Sequence, residues 1–516
     1  MLFNSTEFLT LFLPVTLAGF FVLGRYSRES AAWWLAGASV VFYAGWNWRY
    51  VPLLLASTVF NFVAAQAIAR MQSQDRPARA KLILIAGVAA NLVLLGYYKY
   101  TDFLIANWNS LTNSNAGALM IVLPLGISFF TFTQIAYLVD TARKVAYEPR
   151  FSHYLLFVTY FPHLIAGPVL HHKEMMPQFA DPVTYRWRWE NVAAGTAIFL
   201  IGLFKKTVLA DGISEHVGSA FALASQGQEV HALQAWGAAL SFTMQLYFDF
   251  SGYSDMAIGL ARLFGVRLPL NFHSPYKSRN ISDFWRRWHM TLSRFLRDYL
   301  YISLGGNRHG SLRRYTNLVL TMFLGGLWHG ASWTFAIWGL MHGGYLVINH
   351  AFQAICRAVK MPPVPDWLKV PASITITYLA VVVAWVFFRA DTVSSALRLL
   401  TGMFGGYGVA LPDALLLRIP GLEAVASALN IRSELGGGSV FVTLWLKLAV
   451  LHFIAFAMPN TQEIMRRFAP ALDFNAQQAS GMALRFNWRW AALIGCMGTL
   501  GLFAMTRRSE FLYYQF

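Results

Sequence analysis

Long apolar runs follow one another through most of this chain, and short polar links divide them. A helix needs about 20 apolar residues to cross the hydrocarbon core of a bilayer. By that measure residues 8–24, 31–48, 51–69, 82–98, 119–139, 152–170, 191–210, 235–260, 315–332, 333–352, 371–388, 441–458 and 487–505 read as membrane segments, some of them re-entrant. Pro162 and Pro168 interrupt the sixth run, and such interruptions occur where backbone lines a cavity. The runs are too long and too continuous for an outer-membrane barrel, whose strands alternate over roughly ten residues. No repeat of fixed period and no soluble module stands out. Residues 1–516 therefore read as a single all-α polytopic membrane domain.

The window 260–314 breaks this pattern. It carries Arg262, Arg267, Lys277, Arg279, Arg286, Arg287, Arg294, Arg297, Arg308, Arg313 and Arg314 against two acids, Asp283 and Asp298. At about 100° per residue, Trp285, Trp288, His289, Leu292, Phe295, Leu296 and Tyr299 share one helical face, and Arg286, Arg287, Arg294 and Arg297 share the opposite one. This spacing predicts one amphipathic helix lying at the membrane surface or dipping into the protein. Later, Gly402 to Gly408 and Gly436-Gly437-Gly438 bracket a moderately polar connection that reads as an extramembrane loop without evident chemistry.

Composition agrees with a membrane protein. The chain is 56% hydrophobic and 13% charged, against about 25% charged for an ordinary soluble domain, and its 18 Trp suit interfacial ring belts. The net charge of +17 would suggest nucleic acid in a soluble protein. Here it suits cytoplasmic loops, and no nucleic-acid partner is expected. Cys356 and Cys496 offer neither a disulfide framework nor metal spacing. Met1 to Glu7 lack a basic signal-peptide region, so the first run reads as a retained helix. Link 70–81 carries Arg70, Arg76, Arg79 and Lys81, and link 141–150 carries Arg143, Lys144 and Arg150, whereas 100–118 has only Asp102. The positive-inside bias puts the first two in the cytoplasm, and the third and the N-terminus outside.

One residue stands out as a candidate for chemistry. Over 315–356 there is no Asp, Glu, Lys or Arg, and His329 sits in the middle, in Gly325-Gly326-Leu327-Trp328-His329-Gly330. Histidine inside a membrane is costly and usually has a task or a partner. A neutral imidazole can take a proton from a hydroxyl and later return it. Gly325, Gly326 and Gly330 would let a substrate approach the backbone, or would equally serve tight helix packing around a histidine bonded between helices. His289, on the apolar edge of the amphipathic helix, faces inward or snorkels to water. The arginine face suits an anion: lipid phosphate, or the phosphates of an acyl-carrying coenzyme. No P-loop occurs, which counts against an ATP-driven pump. Asp249 and Asp255, in an apolar run, either pair with arginines of the next segment or line a polar path that would suit a transporter. His163, His171 and His172 have no carboxylate or cysteine at helpful spacing, so no metal site is expected. His342 falls on another face or on the next helix.

Several motifs occur together in order. They are Tyr160-Phe161-Pro162-His163-Leu164-Ile165-Ala166-Gly167-Pro168, Tyr247 to Gly259, Asn271-Phe272 with Pro275-Tyr276, and Asp283-Phe284-Trp285-Arg286-Arg287-Trp288-His289-Met290-Thr291-Leu292-Ser293. Arg297 to Ile302, Leu304 to Arg308, Gly325 to Ala331 and the closing Phe511-Leu512-Tyr513-Tyr514-Gln515-Phe516 complete the set. The chain resembles the membrane-bound O-acyltransferases, in their bacterial alginate O-acetyltransferase branch. The resemblance implies a ring of about 11–13 membrane helices, each long enough to span, around a thin centre with a cavity from each side. It implies His329 as the essential residue and His289 as the second catalytic histidine. Arg286, Arg287, Arg294, Arg297 and Trp328 are then the residues expected to meet the donor. It further implies a bacterial inner-membrane enzyme with no permanently bound cofactor. Such an enzyme takes acetyl from cytoplasmic acetyl-coenzyme A and hands it to a periplasmic acyltransferase that decorates an exopolysaccharide such as alginate or cellulose. One departure is His171-His172-Lys173, where relatives often have Arg. The reading from another class is a transporter or flippase of a lipid-linked or anionic glycan.

Overall fold

The computed structural model describes residues 1–516 except 166, 309, 435–436, 475–482, 486, 506–511 and 513–516. Ala166, Gly436 and all of the closing motif but Leu512 therefore lie outside the described residues. The chain is built almost wholly of helices. Among the described residues the only strands are Ala410–Pro412 and Arg432–Glu434, a short parallel pair inside the connection that the sequence marks as a loop.

Among the described residues five stretches are long and apolar enough to cross a bilayer: Arg28–Ser73, Pro77–Thr112, Trp189–Ser214, Asp366–Arg389 and Gly438–Ala457. Their outward faces carry side chains that water would reject, among them Leu82, Val93, Ile376 and Leu446, each more than half exposed. The protein is an all-α, multi-pass membrane protein. Arg28–Ser73 covers two of the runs read from the sequence, and runs 8–24, 235–260, 315–332, 333–352 and 487–505 also form helices, whereas the fifth and sixth are interrupted. The fifth run yields a helix only over Ile127–Ala142. The sixth stops at Thr159, turns at Tyr160, and resumes for four residues as Phe161–Leu164, with Pro162 in its first turn.

The helix Ala232–Leu263 is the buried axis of the fold. It packs on Trp189–Phe204 through facing glycines. A Cβ on Gly202 would sit 2.6 Å from Gly252 O, and one on Gly259 2.6 Å from Gly195 O, so only glycine permits this approach. The approach brings lysines to the buried carboxylates. Lys205 Nζ lies 2.8 Å from Asp255 and Lys206 Nζ 2.7 Å from both Asp249 and Asp211. Thr461 Oγ1 and Gln462 Nε2 also donate to Asp255. The expectation that arginines of the next segment hold these aspartates is thus corrected: the partners are lysines of the preceding helix. Asp249 and Asp255 are structural ion-pair residues here.

Gly310–His329 and Trp333–Ala358 form a tight helical hairpin. A Cβ on Gly326 would lie 3.0 Å from Gly339 Cα and would run into Phe335 O; one on Gly330 would enter the Phe335 ring, and one on Gly325 would meet Leu296 at 3.2 Å. These glycines serve packing rather than substrate approach.

The predicted amphipathic helix is broken. Ile281–Trp285 ends in a turn, His289 adopts a left-handed conformation (φ 43°), and Met290–Phe295 follows at a new angle before the wide turn Leu296–Tyr301. The extended segment around Asn271 takes the freed backbone bonds: Met290 N donates to Asn271 O and His273 N to Arg287 O. Helical periodicity in this stretch is real, but tertiary bonds override it at His289.

The two basic links lie at one end of the molecule. Gln72 Nε2 donates to Ala142 O at 2.6 Å, and Tyr147 Oη to Gln66 Oε1 at 2.6 Å. Toward the far end of Pro77–Thr112, the Asp102 carboxylate accepts from the backbone N–H groups of Leu119 and Ile121.

Candidate active site

His329 closes the helix Gly310–His329 and is 8% exposed. Its ring centroid lies 4.8 Å from Trp328, 5.2 Å from Trp338 and 5.2 Å from Phe388, so three aromatic rings wall the imidazole. It lines a cavity of about 100 Å³ with Lys99, Ser128, Phe129, Trp328 and the turn 123–126. This cavity sits toward the end opposite the basic links.

His289 is 1% exposed, and its ring centroid lies 6.4 Å from that of Trp328. Asn271 Oδ1 is 3.0 Å from His289 Nδ1 and also accepts from Thr291 Oγ1 at 3.0 Å. A carboxamide oxygen only accepts, so His289 carries its proton on Nδ1. Its Nε2 has no hydrogen-bond partner among the described residues and keeps a lone pair. Thr291 and Met290 in turn line a second cavity of about 450 Å³, with Leu270, Trp285, Arg286, Ser293, Arg294, Arg297 and Asp473. The wall of this second cavity is tied to Glu174, two residues beyond His172, whose ring approaches Glu148 of the basic link. The arginine-lined cavity thus connects to His289 through Thr291 and Asn271, and His289 meets Trp328, which lines the small cavity together with His329. Three stacked rings accompany it: Phe295 on Phe132 at 4.3 Å and 11°, and Phe132 on Trp328 at 5.2 Å and 18°.

The structure thus brings His289 and His329 to one tryptophan, but it separates the expected donor contacts. Arg286, Arg294 and Arg297 share the larger cavity; Arg287 is absent from its lining and bonds Asp283 at 2.9 Å. Arg294 is held by both oxygens of Glu174 and by Asp473, and Arg297 by Asp298. Arg286 is exposed and makes no side-chain hydrogen bond or ion pair among the described residues. Trp328 belongs to the other cavity, away from the arginines, because its ring is fixed between Phe132 and His329.

The remaining histidines have other surroundings. His163 is buried with Nε2 2.9 Å from Phe157 O, a structural bond inside the broken sixth run. His171 Nδ1 meets Tyr299 Oη at 3.0 Å, and Tyr299 Oη donates to Asp140. His342 lies on the next helix, fully buried against Trp338 and Trp285. Among the described residues no group of His, Cys, Asp or Glu side chains is placed to hold a metal ion.

Lys99 and Tyr100 are what the sequence reading missed. Lys99 donates to Trp328 O and His329 O, and Tyr100 Oη to Leu327 O. The signal for them in the sequence is a lysine just past the apolar run 82–98, in Tyr97-Tyr98-Lys99-Tyr100, where a charge equally marks the end of a span.

Residues 122–389 match MBOAT, the membrane-bound O-acyltransferase family. The full chain is 40% identical over 550 residues to the peptidoglycan O-acetyltransferase of Helicobacter pylori, spanning 100% of this chain and 98% of that one. The chain belongs to the membrane-bound O-acyltransferase family. It is similar as well to a probable alginate O-acetylase of Pseudomonas putida, 40% identical over 527 residues and the full length of both chains. With the corresponding protein of Pseudomonas aeruginosa it shares 43% identity over 413 residues, 78% of this chain and 75% of that one. As a member of the family the protein is an O-acyltransferase. The matched span contains both histidines, Trp328 and all four arginines, but begins after Lys99 and Tyr100.

Proposed function

We propose that the protein moves an acetyl group from acetyl-coenzyme A, bound at the basic end of the molecule in the cytoplasm, to a hydroxyl presented in the small cavity on the outer side of a bacterial inner membrane. The observation that carries this reading is the pair of buried histidines at Trp328: His329 lines the small cavity, and His289 directly precedes Met290 and Thr291, which line the larger one. Arginine in the larger cavity suits coenzyme phosphates through planar, multi-donor contacts. His329 takes the proton of the acceptor hydroxyl as its oxygen attacks the thioester carbonyl. The tetrahedral intermediate then collapses, the C–S bond breaks, and the coenzyme leaves as a thiolate that collects a proton. The Nε2 lone pair of His289, which precedes Met290 and Thr291 of the arginine-lined cavity, assists proton movement on that side.

The named activities of the relatives, acetylation of peptidoglycan and of alginate, both end on a polysaccharide hydroxyl. A polysaccharide is accordingly the proposed final acceptor, reached through a separate periplasmic acyltransferase. The test uses the purified full-length protein in proteoliposomes with acetyl-labelled coenzyme A supplied on one side only. Label is expected to leave the coenzyme and appear on an acceptor supplied on the other side. Transfer that proceeds only when donor and acceptor share one side would overturn the reading.

A further inference from the structure

A helix ends with carbonyls that have no intrahelical donor. At the end of Gly310–His329 three of them in succession are satisfied by two adjacent side chains from Pro77–Thr112. Tyr100 Oη donates to Leu327 O at 2.8 Å, and Lys99 Nζ donates to Trp328 O and, at 3.1 Å, to His329 O. The ammonium stands 5.8 Å from the centre of the Trp328 ring, and the side chain lines the same cavity as His329. Eight residues after Lys99, Asn107 Oδ1 accepts from Trp333 Nε1 at 2.8 Å, so the same helix also grips the start of the next one in the hairpin. Among the described residues the hydrogen bonds of Lys99 all go to these carbonyls. A lysine at membrane depth is expensive, and such residues mark functional sites. A neutral residue would serve packing here without that cost.

We propose that Lys99 is a positioning residue for His329. Its ammonium ties down the last turn of the helix at Trp328 and His329, the two residues of that turn that line the small cavity, and so fixes where the imidazole points. Without it the carbonyls of Trp328 and His329 lose their donor and the turn frays. The imidazole then no longer meets the acceptor hydroxyl at hydrogen-bond distance, and misplacement by about 1 Å costs on the order of 100-fold in rate. This inference rests on the reading of His329 as the base.

The test compares Lys99→Met, which keeps the stem but removes the donor, with Lys99→Arg, which keeps donors, in the full-length protein with acetyl-coenzyme A. Lys99→Met is expected to lower kcat at least about 10-fold, with the donor KM and the melting temperature in detergent unchanged, and Lys99→Arg to recover most of the loss. Unchanged kcat in Lys99→Met overturns the proposal, as does a loss that appears in KM or tracks the melting temperature. If Lys99→Met does not insert, Lys99→Leu, which also lacks a donor, is judged by the same criterion. His329→Ala is assayed alongside. Full activity there overturns both readings, whereas its inactivity beside an unimpaired Lys99→Met overturns only the role of Lys99.

Discussion

A base must present a lone pair, and a fixed one works better than a wandering one. At His289 the Asn271 carboxamide selects which nitrogen carries the proton. At His329 three aromatic rings and the end of a helix fix the imidazole. Replacing His329 by Ala or Gln should reduce acetyl transfer by about 10²–10⁴-fold while the protein still inserts, as measured by polymer acetylation in cells with equal membrane levels of protein. Normal acetylation with His329→Ala would remove it from the mechanism. The arginines can now be tested separately, because Arg294 holds Glu174 and Asp473 whereas Arg286 holds no partner among the described residues. Arg286→Glu should weaken acetyl-coenzyme A binding, with the difference from wild type shrinking as salt rises, and should leave the melting temperature alone. Donor affinity unaltered by this reversal would mean that the basic face meets lipid phosphate only.

At the scale of elements, hydropathy showed where most helices lie, since burial in lipid leaves a signal in every residue of a span. It could not show where a tertiary bond interrupts a good pattern. Around His289 the 3.6-residue period is intact, yet Asn271 draws the backbone of Met290 away from it. It also could not choose partners for Asp249 and Asp255, because Lys205 and Lys206 are about fifty residues away in sequence and reach them only through glycine contacts between two helices. Those pairs carry a prediction. Lys206→Met leaves the carboxylates of Asp249 and Asp211 buried without their cation and should cost about 3–5 kcal/mol, read as a lower melting temperature in detergent. Adding Asp249→Asn should return part of the loss. A melting temperature that Lys206→Met does not change would show the pair to be incidental.

At the scale of the whole molecule, the candidate residues lie by two cavities of unequal size, about 450 Å³ beside the arginines and about 100 Å³ at His329. The smaller one has little room for a sugar chain, and the longest polar connection outside the apolar helices, around 402–440, folds into short helices and one two-stranded ladder. The protein is therefore expected to pass acetyl to a second protein that grips the polymer. Purified enzyme, acetyl donor and polymer should give little polymer acetylation until that partner is added; efficient acetylation without it would exclude the relay. The lines of the cavities were legible only in part. His289 and His329 could be singled out as buried histidines in apolar surroundings, while Lys99 looked like a boundary and Trp328 looked like a neighbour of the arginines.

The three stacked rings of Phe295, Phe132 and Trp328 have a consequence for the cell as well as for the reaction. A cavity reaching into a bilayer invites a leak of protons and ions, and a cell stores its working energy in that gradient. A column of flat, uncharged rings packed against one another offers no chain of waters along which a proton can hop. It acts as an electrical insulator beside the small cavity that Trp328 and His329 line.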